Sequence, residues 1–193
     1  MRESILAVRA RLTANDAQAT AAVLAERALE LPELAEARTV AAYVSVGREP
    51  GTGPLLEALR ARDVRVLLPV LLADNDLDWA VYEGRERLTP ARRGLLEPDG
   101  PRLGPDAVTE ADAVLLPGLA VDGQGIRLGR GGGSYDRVLA RIGAAGVRPA
   151  LAVLLYDAEL VGSVPAEPHD LPVAAAVTPS AVHRFTAPPP HHG

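Results

Sequence analysis

The 193-residue chain contains no cysteine. It therefore builds no disulfide framework, presents no thiol nucleophile and offers no thiolate to zinc. Its 20 basic residues are all arginine. Without lysine there is no Walker A loop, whose lysine reaches the terminal phosphates, and no Schiff-base chemistry. Two of the four histidines, His191 and His192, stand in a proline-rich end, which makes a histidine-built zinc site improbable. No serine sits in a G-x-S-x-G elbow, which argues against a hydrolase of that design. No apolar run reaches the roughly 20 residues that span a bilayer, and the start Met1-Arg2-Glu3-Ser4 lacks a signal peptide's regions. A cytoplasmic location without a membrane partner is expected. A formal net charge of −5 speaks against a protein that coats nucleic acid. For an enzyme, the chemical equipment that remains is arginine, carboxylate, glycine-rich backbone and whatever metal these can hold.

The 48% hydrophobic content is spread along the chain, as in a globular domain. Thr13 and Asp16 form a capping pattern ahead of an alanine- and leucine-rich stretch, which predicts a helix to about Leu31. TVAAYVS, residues 39–45, is β-branched and apolar enough for a buried strand. Further strands are expected over 64–69, 78–82, 113–116, 150–155 and 174–178, and helices over 55–62 and 135–142. Residues 84–106, rich in Gly, Pro and Arg, read as an irregular connection. Strands alternating with helices predict an α/β fold, one three-layer domain with a mainly parallel sheet flanked by helices. It is expected to cover residues 1–186, with 187–193 as a flexible tail.

The chemistry concentrates in PGLAVDGQGIRLGRGGGSYDR, residues 117–137. A strand ends, glycines cluster and a helix begins near Tyr135. Ligands in such sheets bind outside the carboxyl ends of the strands. Gly129, Gly131, Gly132 and Gly133 let backbone N–H groups approach an anion, and the helix start adds its positive dipole end. Arg127 and Arg130 supply donors suited to phosphate oxygens. Asp136, directly after this cradle, is placed to hold Mg²⁺ against the phosphates. The competing reading is a mobile glycine loop with two solvated arginines. Asp122 either orients Arg127 or caps the turn, and the structural role is preferred.

This segment resembles the signature of the 5-formyltetrahydrofolate cyclo-ligase family, PG-x-A-x-D followed by G-x-R-L-G-x-G-x-G-x-Y-D. Tyr43 to Thr52, YVSVGREPGT, is similar to the family's folate-side turn. Gly94 to Pro98 resembles its G-x-x-E-P element, and Val164 to Asp170 its late P-x-E-x-H-D element. The resemblance implies a single α/β domain that binds ATP and Mg²⁺ and closes 5-formyltetrahydrofolate to the 5,10-methenyl form. It places ATP along Arg127, Leu128, Gly129, Arg130, Gly131, Gly132, Gly133, Ser134 and Tyr135, with Arg2 also reaching the nucleotide. Arg127 and Tyr135 are the catalytic candidates, Asp136 and Asp170 the metal ligands, and Val46, Glu49 and Gly51 the folate contacts. The only partner expected is the small-molecule folate, bound by a monomer. The chain departs from the family at Ser134, where an aromatic is common. It departs again at Gly51, where an acid often stands, and before Arg2, where a lysine would precede Met1. Gly51 keeps open a paralogue acting on another substrate, and a non-catalytic binding module is the third reading. Trp79 reads as packing, Glu97-Pro98 as a turn, and His169 as either packing or site.

Overall fold

The computed structural model describes residues 1–186; the expected tail, 187–193, lies outside the described residues. The chain runs α1 (Arg2–Ala10), α2 (Ala14–Ala28), α3 (Pro32–Ala35), β1 (Thr39–Ala41), α4 (Gly53–Ala61), β2 (Arg65–Leu71) and β3 (Leu77–Val81). It continues through β4 (Leu88–Pro90), β5 (Leu96–Pro98), β6 (Ala113–Leu116), β7 (Ala120–Val121), β8 (Arg127–Leu128), α5 (Ser134–Ala144), β9 (Ala150–Leu154), β10 (Ala175–Val177) and β11 (Val182–Arg184).

Seven strands form one sheet in the order β11-β10-β9-β6-β1-β2-β3. The five inner strands pair in parallel. β3 and β11 close the edges antiparallel. Successive strand side chains point to opposite faces, and here both faces are covered. Val66, Leu68 and Leu115 meet Leu24 of α2, Leu34 of α3 and Leu55, Leu56 and Leu59 of α4. Leu67, Val114 and Leu116 meet Val138, Leu139 and Ile142 of α5, together with Val108 from a 3₁₀ turn. This gives three layers and explains why β6, AVLL, is buried at every position. Trp79 is fully buried in the second core, in agreement with the packing reading.

Local signals hold where they rest on nearest neighbours. Thr13 Oγ1 accepts from Asp16 N at 3.1 Å, capping α2. That helix stops at Ala28 rather than Leu31, and Pro32 opens α3 at a position where its missing N–H costs nothing.

Three expectations need correction. Of TVAAYVS only Thr39–Ala41 joins the ladder; from Tyr43 the chain leaves the sheet to line a cleft. Residues 84–106 are not irregular throughout: β4 and β5 pair as an antiparallel hairpin. That hairpin is pinned on the end of β2, where Glu97 Oε1 accepts from Leu71 N at 3.0 Å. Glu97 is thus structural, although Glu97 and Pro98 lie in a paired strand and not in the expected turn. The strand over 174–178 is not the last, since β11 follows it across a short turn.

The carboxyl ends of β1, β2 and β6 lie side by side. From β1 springs the turn 43–49, from β2 the hairpin's anchor, and from β6 Pro117-Gly118. β7 and β8, a two-stranded ribbon, then deliver the chain to the glycine loop.

Candidate functional site

Asp122 shapes the ribbon. Its Oδ1 accepts from Gln124 N at 2.9 Å and Ile126 N at 3.0 Å, and Oδ2 from Val164 N at 3.4 Å. The carboxylate is spent on the backbone, so it caps the turn. Leu128 follows with its side chain buried at 3% exposure, leaving only its backbone for a ligand.

The loop after β8 then turns sharply into α5. Gly131 and Gly133 have φ of +92° and +79°, a region that side chains with a Cβ rarely adopt. Gly133 caps the 11-residue α5 from the left-handed region, and no side chain caps its first turn. The first-turn N–H groups therefore lack an intrahelical partner and face the loop with the positive end of the helix dipole. Arg2 of α1 reaches across, its Nε donating to Gly129 O at 2.8 Å.

Arg127 is held rigidly. Its side chain is only 9% exposed, Nη1 donates to Pro117 O at 2.8 Å, and Nη2 stands 3.9 Å from Asp136 Oδ1. Burial lowers its pKa, against the opposing charges of Asp136 and Asp170; an arginine starts so far above neutrality that it stays charged. Arg130 is half exposed, with Nε 3.5 Å from Glu49 Oε1. Glu49 Oε2 accepts from Val46 N at 2.7 Å, which closes the turn after β1. Burial raises the Tyr135 and Tyr43 phenols well above their ordinary value, with Glu49's charge adding to it. Both phenols therefore keep their protons at neutral pH.

Two lobes meet at this point. The first, about 310 Å³, lies between the glycine loop and the apolar residues Tyr43, Pro69, Leu71, Leu77, Leu95 and Leu96. Val46, Glu49, Arg130, Gly132, Gly133, Ser134 and Tyr135 also line it. The second, about 290 Å³, is polar and holds Arg2, Leu128, His169 and Asp170. Arg127, Gly129, Gly131 and Asp136 border both lobes.

The structure thus brings together every sequence-predicted site residue but one. Gly51 faces α2: a Cβ there would lie 2.6 Å from Ala21 Cβ, and the residue does not line the cleft. Its lack of a side chain serves helix packing. His169 lines the second lobe, exposed, with Nε2 3.2 Å from Glu167 Oε2. Tyr43, expected in a buried strand, is buried in the first core and also lines the cleft, as do Arg93, Leu95 and Leu96, expected in an irregular connection. Beyond the resemblance of 43–52 to a folate-side turn and of 94–98 to the G-x-x-E-P element, no local signal marks these side chains, because they reach the cleft through sheet order.

The carboxylates suit one kind of ion. Asp136 is exposed, and Asp170 uses one oxygen to accept from Glu167 N at 2.7 Å, leaving the other free. No group of three or more His, Cys, Asp or Glu residues that could hold a metal occurs among the described residues. Two carboxylates beside an anion cradle fit Mg²⁺, which keeps several waters and binds phosphate oxygens, and do not fit a structural zinc.

A glycine-rich loop and helix start at the carboxyl edge of an open sheet, joined to an apolar cleft, define a class: single-domain α/β proteins with a two-lobed cleft at the strand ends. Within that class the assignment is specific, because the 5-formyltetrahydrofolate cyclo-ligase family matches residues 1–179, and the chain belongs to that family. It is 46% identical to the 5-formyltetrahydrofolate cyclo-ligase of Mycolicibacterium smegmatis over 149 residues, 74% of each chain. To that of Escherichia coli K12 it is 34% identical over 176 residues, 90% of this chain and 96% of the other. The structure of Aquifex aeolicus 5,10-methenyltetrahydrofolate synthetase superposes with a TM-score of 0.79 at 25% identity, over 100% of this chain and 97% of that one. Among the described residues no helix is long and apolar enough to cross a membrane.

Proposed function

We propose that this chain closes 5-formyltetrahydrofolate to 5,10-methenyltetrahydrofolate, converting ATP to ADP and phosphate. The observation that carries this reading is the shared border: Arg127 and Asp136 stand between an apolar lobe and a carboxylate-bearing one. A phosphoryl group held there can pass from a ligand in one lobe to a ligand in the other.

The chemistry needs no protein nucleophile. The formyl group is an amide, and its carbonyl is a poor electrophile for the neighbouring N10 amine. Transfer of the γ-phosphoryl to the formyl oxygen turns that oxygen into a leaving group. N10 attacks the formyl carbon, its proton is lost, and phosphate departs. Such transfer rests on positioning and charge neutralisation. Arg127, fixed by Pro117 O, presents its guanidinium to the transferring oxygens, and the N–H groups of 131–133 supply further donors. Tyr135, kept protonated, donates to an oxygen of the reacting group. Glu49 and the 46–49 turn face the pterin end. Asp136 and Asp170 would hold Mg²⁺, which supplies charge neutralisation at the phosphates. Arg2, anchored on Gly129 O, reaches the nucleotide. We place the reaction in the cytoplasm and in a monomer, a reading supported by the cysteine-free composition and by one chain supplying both lobes.

The test mixes the protein with 5-formyltetrahydrofolate, ATP and Mg²⁺ and follows the methenyl product's near-ultraviolet absorbance. Product that needs ATP and appears with stoichiometric ADP is the expected result. ADP formed with no methenyl product would overturn the acceptor assignment.

A further inference from the structure

Three arginine side chains line the first lobe. Arg127 is fixed on Pro117 O and Asp136, and Arg130 faces Glu49. Arg93 has neither an ion-pair partner nor a hydrogen-bond acceptor among the described residues, although it borders a largely apolar wall of Leu71, Leu77, Leu95 and Leu96.

Its backbone is also unusual. Arg93 has φ 59° and ψ 28°, and Gly94 follows at φ 70°. Leu95 N donates to Arg92 O at 3.2 Å across them, and Ala91 N to Leu95 O at 2.8 Å. Two consecutive left-handed residues in a tight hairpin normally select Asn-Gly or Asp-Gly. Arginine in the first place is a local violation, and such outliers gather where a ligand is met.

The hairpin holds this tip at a defined distance from the anion cradle. Arg92 Nη2 donates to Leu71 O at 3.2 Å, and Glu97 Oε1 accepts from Leu71 N, so the tip is docked on the end of β2. The cradle follows β6, and β1 lies between them. Two strand spacings separate the two anchors, about 10 Å. A ligand with its reacting group at Arg127 and an apolar body against the leucine wall would carry its far end to Arg93.

On the reading that the first lobe holds 5-formyltetrahydrofolate, we propose that Arg93 is a specificity-determining residue that binds a carboxylate of the substrate's glutamate tail. The pterin and aminobenzoyl rings fill the apolar wall, and the tail supplies the only anions at that end of the molecule. An unpaired guanidinium beside apolar surface forms charge-assisted, two-pronged bonds to a carboxylate.

The experiment compares 5-formyltetrahydrofolate, its triglutamate and 5-formyltetrahydropteroate, which has no glutamate. Each is titrated into the wild-type chain, Arg93→Asn and Arg93→Lys, with KM and equilibrium binding both read. Asparagine tolerates the left-handed region, so the turn is kept. Wild type should prefer the glutamate-bearing ligands over the pteroate by about tenfold, as one charge-assisted pair would give. Arg93→Asn should bring that ratio close to one, and Arg93→Lys should restore part of it. Equal losses on all three ligands, or an unchanged ratio, would overturn the assignment of Arg93 while cyclisation stood. Wild-type chain that binds these ligands but forms no methenyl product would overturn the reaction instead, and the ratio of binding constants would still decide Arg93. A wild-type chain that binds none of them overturns both.

Discussion

Arg9 Nε donates to Glu159 Oε1 at 2.7 Å and Arg9 Nη2 to Glu159 Oε2 at 2.9 Å, a two-pronged pair between residues 150 positions apart. Both side chains are buried. Arg9 Nη2 also donates to Gly118 O at 2.8 Å, beside the Pro117 carbonyl that holds Arg127. Glu159 Oε2 accepts in addition from Tyr156 N, and the Tyr156 hydroxyl donates to Arg48 O at 3.1 Å. One ion pair thus ties α1 to the loop after β6 and, through Tyr156, to the turn after β1.

Removing one partner leaves the other charge buried without compensation. Glu159→Ala should lose about 3–5 kcal/mol of unfolding free energy in urea titration. Arg9→Met with Glu159→Leu should recover most of that loss. A single variant within about 1 kcal/mol of wild type would mean that water reaches the pair.

Arg127→Lys should lower kcat for methenyl formation by about 100-fold, the scale of losing one preorganised oxyanion donor. An ammonium cannot hold Pro117 O and present a planar fork to phosphate together. Wild-type kcat in that variant would remove Arg127 from the phosphoryl-binding role.

On the proposed metal-ligand role, Asp136→Ala should reduce turnover by about 100-fold or more, through loss of charge neutralisation at the phosphates. Wild-type activity should disappear with a chelator and return with added Mg²⁺. The decisive comparison is the Mg²⁺ concentration for half-maximal rate: if Asp136→Asn leaves it unmoved, the carboxylate is not a ligand.

Gly51→Ala should cost about 1–3 kcal/mol, the range for overpacking a filled interface. The added Cβ would lie 2.6 Å from Ala21 Cβ. Ala21→Gly in the same chain should return part of the loss. Additive effects in a double-mutant cycle would show that the two residues do not touch.

All four tyrosines have raised phenol pKa values, burial being the first cause in each. The unfolded chain loses its phenolic protons near pH 10, whereas the folded chain keeps them to higher pH. Their contribution to stability is therefore fully present below about pH 9 and is lost progressively as pH rises from about 10 toward the higher pKa values of the folded chain. Urea midpoints measured at pH 8.5 and 10.5 should fall across that interval, and Tyr43→Phe should flatten the slope. An equal slope in that variant would place the alkaline loss elsewhere.

Much of this molecule is legible along the chain where neighbours act on neighbours. The buried strands 113–116 and 150–154 announce themselves as short apolar runs, and Thr13 announces the start of α2. The cradle is the clearest case. Arg127, the glycines 129–133 and the start of α5 are consecutive, so backbone freedom, guanidinium donors and helix polarity are specified by one segment. Asp122 was legible for the same reason, since the N–H groups it satisfies at 124 and 126 lie within four residues.

Other features depend on which strand lies beside which. Tyr43 is core, as its apolar stretch indicates, but that it also lines the cleft follows only once β1 is found between β2 and β6. The hairpin 88–98 alternates too weakly to show as strands, and it is stabilised by docking on Leu71, 26 residues before Glu97. Gly51 stands in a stretch similar to the family's folate-side turn, yet α2 passes so close to it that its role is packing. Asp136 and Asp170 come to one lobe only because β7 and β8 turn the chain back over the sheet. By itself the sequence determined the glycine loop before α5, the buried strands and the cap of α2, because each rests on the conformational preferences of adjacent residues. The pairing of Arg9 with Glu159, the leucine wall with Arg93 and the meeting of the two lobes were decided by tertiary structure, because contacts between distant segments exist only once sheet order and both packed faces are in place.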